Sequence, residues 1–145
     1  MILEERISTL TVVATSFSTL PSFLLYFAVG AVLIALFLAL YCRTTPHPEI
    51  VLIREGNVAA AVALSGALLG FVLPLASVIA HSARLIDVLV WGVIALLVQL
   101  GGFLAARMVI PGLSRAIADG KVADGIFLAG LSLALGLLDA ACMAG

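Results

Sequence analysis

Two acidic residues, Asp124 and Asp139, stand within a long apolar run near the C-terminal end of this sequence. An ionisable side chain at the centre of a bilayer costs at least about 2.5–3.5 kcal/mol on insertion scales, so such residues are candidates for function. In a helix, their separation of 15 residues (139 − 124) amounts to about 22 Å and places both on nearly the same face. One interpretation is a proton or cation path along that face. The other, which their distance from mid-span favours, is two carboxylates hydrated or paired at opposite interfaces.

A path of this kind also needs uncharged polar residues between the carboxylates. Four residues could serve as such stations: Asn57, Ser65, Gln99 and Ser132. Gln99 is the polar residue nearest to the centre of an apolar run, and a single amide in that position more often hydrogen-bonds to a neighbouring helix. Helix pairing is therefore the competing prediction for Gln99.

Catalytic and metal-dependent chemistry has little support in the sequence. No Ser–His–Asp set, no paired carboxylates and no glycine-rich phosphate loop can be identified. His47 and Glu49 could supply two metal ligands, but the prolines around them already explain the stretch as a stiff turn. We therefore predict no catalytic residue, no metal site and no cofactor.

The elements that position these residues must lie in a membrane. Of the 145 residues, 64% are hydrophobic and 10% are charged, and the mean hydropathy is +1.32. A soluble domain carries about 25% charged residues, so this chain lacks the polar side chains to cover a globule. The formal net charge of −1 also excludes the basic surface that a nucleic acid would need.

Four apolar stretches are long enough to cross a bilayer as helices, which needs about 20 residues each. They cover residues 21–42, 57–80, 86–108 and 121–144. Residues 1–19 carry apolar side chains at helical spacing opposite polar ones, which predicts a short amphipathic helix in the interface. The alternative is a frayed extension of the first spanning helix. The fold class is thus an all-α membrane protein with four transmembrane helices.

The distribution of lysine and arginine predicts the orientation, because cytoplasmic loops carry the excess of these residues. Two longer loops share one side of the membrane, and five basic residues accompany them: Arg43, Arg54, Arg107, Arg115 and Lys121. Arg6 and Arg84 fall on the other side. We therefore expect the longer loops in the cytoplasm and both termini outside.

The chain contains two similar stretches of fourteen residues, which we call the repeated phrase. "IREGNVAAAVALSG" covers residues 53–66 and "IADGKVADGIFLAG" covers residues 117–130, which is an offset of 64 (117 − 53). Each half therefore contains two spans that enter from the same side, as in parallel repeats related by an axis along the membrane normal. The sequence divides as one transmembrane domain over 1–145, with the N-terminal helix at 1–19, repeat 1 at 20–82 and repeat 2 at 83–145.

Small residues dominate the two phrases and the helices that follow them. Gly56 and Gly120 allow a tight turn from loop into helix, and small residues let helices approach closely in lipid. Pro74 lies in mid-span, where its ring would crowd the carbonyl of Gly70 and bend the helix. The predicted packing positions are Gly56, Gly66, Gly70, Pro74, Gly120, Gly125 and Gly130.

Three longer stretches carry a resemblance to a known family: "IREGNVAAAVALSGALLGFVLPLASVI", "WGVIALLVQL" and "VADGIFLAGLSLALGLLDAACMAG". They resemble the YjfL family of bacterial inner-membrane proteins, whose members carry two such halves and no assigned reaction. The resemblance implies a gene context of membrane-remodelling proteins of the phage-shock type and of ion channels. It also implies that Asp139 replaces an asparagine frequent in the family.

These observations predict a multi-pass protein of the bacterial inner (plasma) membrane that is not an enzyme. The first hypothesis is a self-associating scaffold or interaction component in envelope maintenance, because its glycines and alanines form more helix-packing faces than one bundle can bury. The partners would be the lipid bilayer, further copies of the chain, and a phage-shock type protein or an ion channel. The alternative is a small oligomeric channel or transporter for ions or protons that uses the face of Asp124 and Asp139.

Overall fold

The structure is a computed structural model that describes residue 12 and residues 15–82 and 84–143. Four long helices follow one another, each of 22 to 25 residues. At 1.5 Å per residue each is about 33–38 Å long, which suffices to cross a hydrocarbon core of about 30 Å. The prediction of an all-α fold with four spanning helices is confirmed. The long helices are α1 (Leu20–Thr44), α3 (Val58–His81), α4 (Leu85–Val109) and α6 (Val122–Met143).

Two short helices occupy the segments that the sequence analysis treated as loops. They are α2 (Glu49–Arg54) and α5 (Leu113–Ala118), and they begin 64 residues apart (113 − 49). Of the predicted N-terminal amphipathic helix, residues 15–18 are helical and lead into α1. Residue 12 is also helical and residue 19 forms a turn, and the other residues of that prediction lie outside the described part of the chain.

The repeated phrase forms the connection between each short helix and the long helix after it. Gly56 and Gly120 adopt φ angles of +87° and +81°, which residues with a side chain rarely tolerate. The next amides, those of Asn57 and Lys121, donate back to carbonyls five residues earlier at 2.9 Å. This is the Schellman ending of a helix. The predicted turn at these two glycines is confirmed.

The centre of the bundle is a contact between α3 and α6, which we call the α3–α6 seam. Here the backbones approach so closely that a Cβ atom would collide with the opposite helix. Such an atom on Gly66 would meet Ala129, and one on Gly125 would meet the carbonyl of Ala59. Small residues thus carry helix association, as expected where lipid supplies no hydrophobic drive between helices. The seam comprises Ala59, Gly66 and Gly70 of α3 with Gly125, Ala129, Ser132 and Gly136 of α6.

Three of the predicted packing glycines do not pack, and one that packs was missed. No other atom lies within 4 Å of a Cβ built on Gly56, Gly120 or Gly130, among the residues that the structure describes. For these three, the prediction of helix packing within the chain is wrong. Gly136, absent from the prediction, lies directly on the backbone of Gly70. Pro74 is buried within a continuous α3.

Helix α1 is attached largely through aromatic side chains. The ring of Phe37 stacks on that of Phe71 of α3, with 4.6 Å between centroids. Tyr41 lies 5.2 Å from the ring of Phe103 of α4. With 1% of its surface exposed, Tyr41 is a core residue of the bundle.

Candidate functional site

The two carboxylates of the proposed path occupy different surroundings on α6. Asp124 is half-buried in the first turn and lines a cleft with Arg115 and Lys121. Asp139 is near the other end, where its Oδ2 atom is buried and has no hydrogen-bond partner in the described chain. Beside it, the carbonyl of Ala140 accepts a hydrogen bond of 3.1 Å from Ser77 Oγ of α3.

The surface of α6 between these carboxylates is covered by α3. Gly125, Ala129, Ser132 and Gly136 face α3 at backbone contact along this length. Within one chain, this contact leaves the face for helix packing. A proton or ion path along this face of α6 stays a prediction. It would need an opening between the helices, formed by a second copy of the chain or by a rearrangement of the bundle.

Two of the predicted polar stations have partners that explain them structurally. Gln99 Nε2 donates to the carbonyl of Ser132 at 2.9 Å, and both residues are buried. The prediction of helix pairing by Gln99 is confirmed, because this bond joins α4 to α6. Asn57 Oδ1 accepts from the amide of Ala60 at 2.9 Å, which caps α3.

Asn57 also connects the two halves of the chain. Its Nδ2 atom donates to the carbonyls of Ile117 at 3.0 Å and Ala118 at 2.9 Å, at the end of α5. The last carbonyls of a helix have no partner inside it, so the amide satisfies two of them. In the second phrase, Lys121 stands at the corresponding place and its side chain makes no hydrogen bond within the described residues.

The structure assembles a second group of polar side chains, which the sequence analysis did not find. We call it the interfacial cluster, and it lies where α1, α2, α4 and α5 meet on the side of the longer loops. Glu49 opens α2 with 2% of its surface exposed, and its Oε1 atom lies 3.7 Å from Nε2 of His47. The cluster comprises Tyr41, His47, Glu49, Arg107 and Ser114.

Several atoms of the interfacial cluster are buried without a hydrogen-bond partner in the part of the chain that the structure describes. They are Tyr41 Oη, His47 Nε2, Glu49 Oε2 and Ser114 Oγ. Burial of an unpaired polar atom costs roughly 1–3 kcal/mol, so proteins seldom keep several of them in one place. Such a concentration is typical of a site that binds water, an ion or a ligand.

Burial of Glu49 brings the pKa of its carboxyl close to neutral pH. Burial raises the pKa of the Glu49 carboxyl from 4.5 to about 7. Burial, followed by the positive charge of Arg107, holds the pKa of His47 below its usual value of 6.5. Arg107 itself rests on the ring of Phe103, 5.6 Å from its centroid, and donates to the carbonyl of Thr44 at 3.5 Å.

This arrangement can bind and release a proton at the membrane surface. Among the described residues, no three or more His, Cys, Asp or Glu side chains gather around one point. The sequence carried one weak signal for the site, a glutamate followed by the apolar run "IVLI" between two prolines and a glycine. Burial of Glu49 itself depends on tertiary packing, in which Tyr41 and Cys42 of α1 face its carboxyl.

The comparisons with known proteins assign the family. Residues 15–143 match the family described as Domain of Unknown Function (DUF350). The chain belongs to this family. The DUF350 match covers all four spanning helices, the α3–α6 seam and the interfacial cluster.

Curated relatives of this DUF350 chain are inner membrane proteins. The protein is 41% identical over 125 residues to "UPF0719 inner membrane protein YjfL" of Escherichia coli K12, which covers 86% of this chain and 95% of the relative. The same figures hold for the protein of that name from Escherichia coli O157:H7. No solved structure matches the chain. The resemblance inferred from the three stretches is thereby confirmed, and the chain is a multi-pass inner membrane protein.

Proposed function

We propose that this protein is a self-associating interaction component of the inner membrane that serves envelope maintenance. The observation that carries the proposal is a pair of glycines on the outer surface of the bundle. Gly101 of α4 and Gly130 of α6 are exposed, and no atom lies within 4 Å of a Cβ built on either. Packing within the described chain therefore does not require glycine at either position.

A glycine in the interior of a helix costs about 1 kcal/mol relative to alanine. That cost is offset at Gly66, Gly70, Gly125 and Gly136 by close packing. At Gly101 and Gly130, a helix of another molecule would supply the same gain. Each is followed four residues later by an exposed alanine, Ala105 and Ala134, which completes the small-xxx-small spacing of helix pairs in membranes.

The partner that these faces fit is a second copy of the chain, because the seam shows that this chain's own small residues pair with one another. The gene context implied by the family resemblance adds a membrane-remodelling protein of the phage-shock type or an ion channel as further partners. We interpret the equal spacing of α2 and α5 as a tandem duplication of one two-helix unit, with both copies inserted in the same direction.

Replacement of both exposed glycines tests self-association. We expect Gly101→Leu with Gly130→Leu to lower the association constant in proteoliposomes about tenfold, equivalent to about 1.4 kcal/mol. The measurement is energy transfer between labelled copies as the ratio of protein to lipid is reduced. Ala28→Leu with Ala123→Leu is the matched control, since it enlarges exposed small residues outside the two pairs. A wild-type protein that stays monomeric throughout the dilution series would refute the proposal.

We further propose that the longer loops are cytoplasmic and that both ends of the chain face outward. The five basic residues at α2, α5 and the adjoining helix ends support this orientation. In a variant without the native cysteines, Asp119→Cys is expected to resist a membrane-impermeant thiol reagent in intact cells, whereas Arg84→Cys reacts. Both positions are exposed, so that access depends on the side of the membrane. Labelling of Asp119→Cys from outside would reverse the assignment.

A channel or transporter for protons or other ions is the second candidate. The observation that favours it is the buried Oδ2 atom of Asp139, which has no partner in the described chain. If the candidate holds, proteoliposomes with the wild-type protein show a flux that Asp124→Asn with Asp139→Asn abolishes while the protein still folds. Absence of wild-type flux over a range of ions and pH values would eliminate it and leave the scaffold.

A further inference from the structure

A cleft of about 250 Å³ lies beside the interfacial cluster, between the end of α4, the loop after α1 and the start of α5. Arg107 stands in the last turn of α4, so the cleft is at the level where that helix leaves the hydrocarbon core. Its lining consists of Pro46, Arg107, Gly112, Leu113, Ser114 and Arg115.

The cleft concentrates positive charge that no acidic side chain neutralises. Neither Arg107 nor Arg115 has a carboxylate oxygen within 4 Å among the described residues. Arg107 uses one Nη1 hydrogen for a long bond to a backbone carbonyl, and Arg115 is exposed. Since a guanidinium has five N–H donors in a planar fork, most donors of both residues remain for an oxyanion. Two groups of acidic residues stand outside the cleft lining: Glu49 belongs to the interfacial cluster, and a neighbouring cleft that shares Arg115 contains Asp119 and Asp124 beside Lys121.

A buried hydroxyl provides an independent sign of a ligand. Ser114 lines the cleft with 7% of its surface exposed, and its Oγ atom has no hydrogen-bond partner in the described chain. Two arginines with a serine hydroxyl form a donor set that suits a phosphate, which offers several strong acceptor oxygens. The two arginines alone would not explain why a serine hydroxyl is buried beside them without a hydrogen-bond partner.

The surroundings of the cleft indicate the source of the phosphate. Met108 and Val109, directly after Arg107, are 79% and 78% exposed. Apolar side chains this exposed at the end of a spanning helix are expected to contact lipid, and a lipid beside them would have its headgroup near the height of the arginines. Basic pockets between spanning helices on the cytoplasmic side are known sites for anionic headgroups. We propose that this cleft binds the phosphate of an anionic phospholipid headgroup.

The test is lipid retention by the full-length protein in mild detergent, measured by native mass spectrometry with phosphatidylglycerol and with phosphatidylcholine. We expect phosphatidylglycerol to be retained preferentially. At about 1 kcal/mol per arginine, Arg107→Gln with Arg115→Gln should weaken that binding about thirtyfold. Arg115→Gln alone, which removes an exposed side chain without a described contact, should weaken it several-fold, as should Ser114→Ala.

The matched control is Arg43→Gln with Arg54→Gln, which removes two exposed positive charges from the same side of the membrane but outside the cleft. We expect it to change retention less than twofold. An equal loss in the control would overturn the proposal, because general electrostatic attraction would then explain the binding. Displacement of the lipid by millimolar inorganic phosphate would overturn the lipid as the source and make the cleft a site for free phosphate. Equal retention of both lipids would refute the proposal of an anionic headgroup, because phosphatidylcholine carries the same phosphate beside a neutralising choline.

Discussion

Replacement of Gly136 by alanine is expected to destabilise the bundle by about 2–3 kcal/mol, the cost of an overpacked core. The added methyl group would fall onto the backbone of Gly70, including its carbonyl oxygen, at the closest point of the α3–α6 seam. Backbone atoms cannot move aside as the end of a side chain can, so the two helices must separate. Their separation also loosens the neighbouring contacts of Gly70 with Ser132 and Gln99.

The same substitution at Gly130 provides the control, six residues earlier on the same helix. A Cβ there meets no atom of the described chain, and alanine is the better helix former by about 1 kcal/mol. Gly130→Ala should therefore leave the monomer unchanged or stabilise it slightly. The free energy of unfolding in micelles, measured by titration with a denaturing detergent at low protein concentration, would test both variants. Equal stability of the two variants would contradict the close backbone contact of Gly136 with Gly70 in the seam.

The contribution of Glu49 to the stability of the protein is expected to fall by up to roughly 3 kcal/mol as the pH rises from below 4.5 to above 7. Glu49 has its pKa raised from 4.5 to about 7, so the folded protein binds its proton more tightly than the unfolded chain does. That contribution is fully present below pH 4.5 and is lost as the pH rises through about 7. Its size follows from (7 − 4.5) × 1.36 kcal/mol per pKa unit.

Glu49→Gln isolates this effect, because glutamine resembles the protonated carboxyl at every pH. We expect the variant to match the wild type near pH 4.5 and to exceed its stability above pH 7. His47 contributes with the opposite sign, since its lowered pKa removes stability as the pH falls. It is present in both proteins, so the difference between them reports Glu49 together with its contact to His47 at 3.7 Å. The other groups facing Glu49 are Tyr41 and Cys42 of α1.

The control for this experiment is Glu55→Gln, which removes an exposed carboxylate at the end of the same short helix. Its pH profile should follow that of the wild type. Unfolding would be measured between pH 4.5 and 8 in one detergent at constant ionic strength. If Glu49→Gln and the wild type kept a constant difference across that range, Glu49 would not titrate in the folded protein near neutral pH.

The spanning helices could be predicted closely because hydropathy and length are properties of a local stretch. The predicted bounds 57–80 and 86–108 differ from α3 and α4 by one residue at each end. The turns at Gly56 and Gly120 were also predictable, since few residues other than glycine adopt their φ angles. The short helices were missed because six residues between prolines or glycines carry too weak a periodic pattern.

The buried site was not predictable by the same means. Glu49 and Ser114 stand in polar segments that a hydropathy profile assigns to solvent, and they are 65 residues apart (114 − 49). Gly130 and Gly136 are equivalent to a composition analysis, yet one faces outward and the other lies on Gly70. Which of the two glycines faces α3 depends on the rotation of α6 about its axis. The sequence does not determine that rotation, because small residues lie on several faces of α6.

The sequence by itself determined the class of this protein, the number of its spanning helices and the places where the chain turns. Each of these follows from the transfer of apolar side chains into lipid and from the backbone freedom of single residues, which act locally. Only the tertiary structure decided which small residues form the α3–α6 seam and that Glu49, His47, Arg107 and Ser114 belong to one interfacial cluster. Those outcomes depend on which helix faces pack together, and that is a property of the whole bundle.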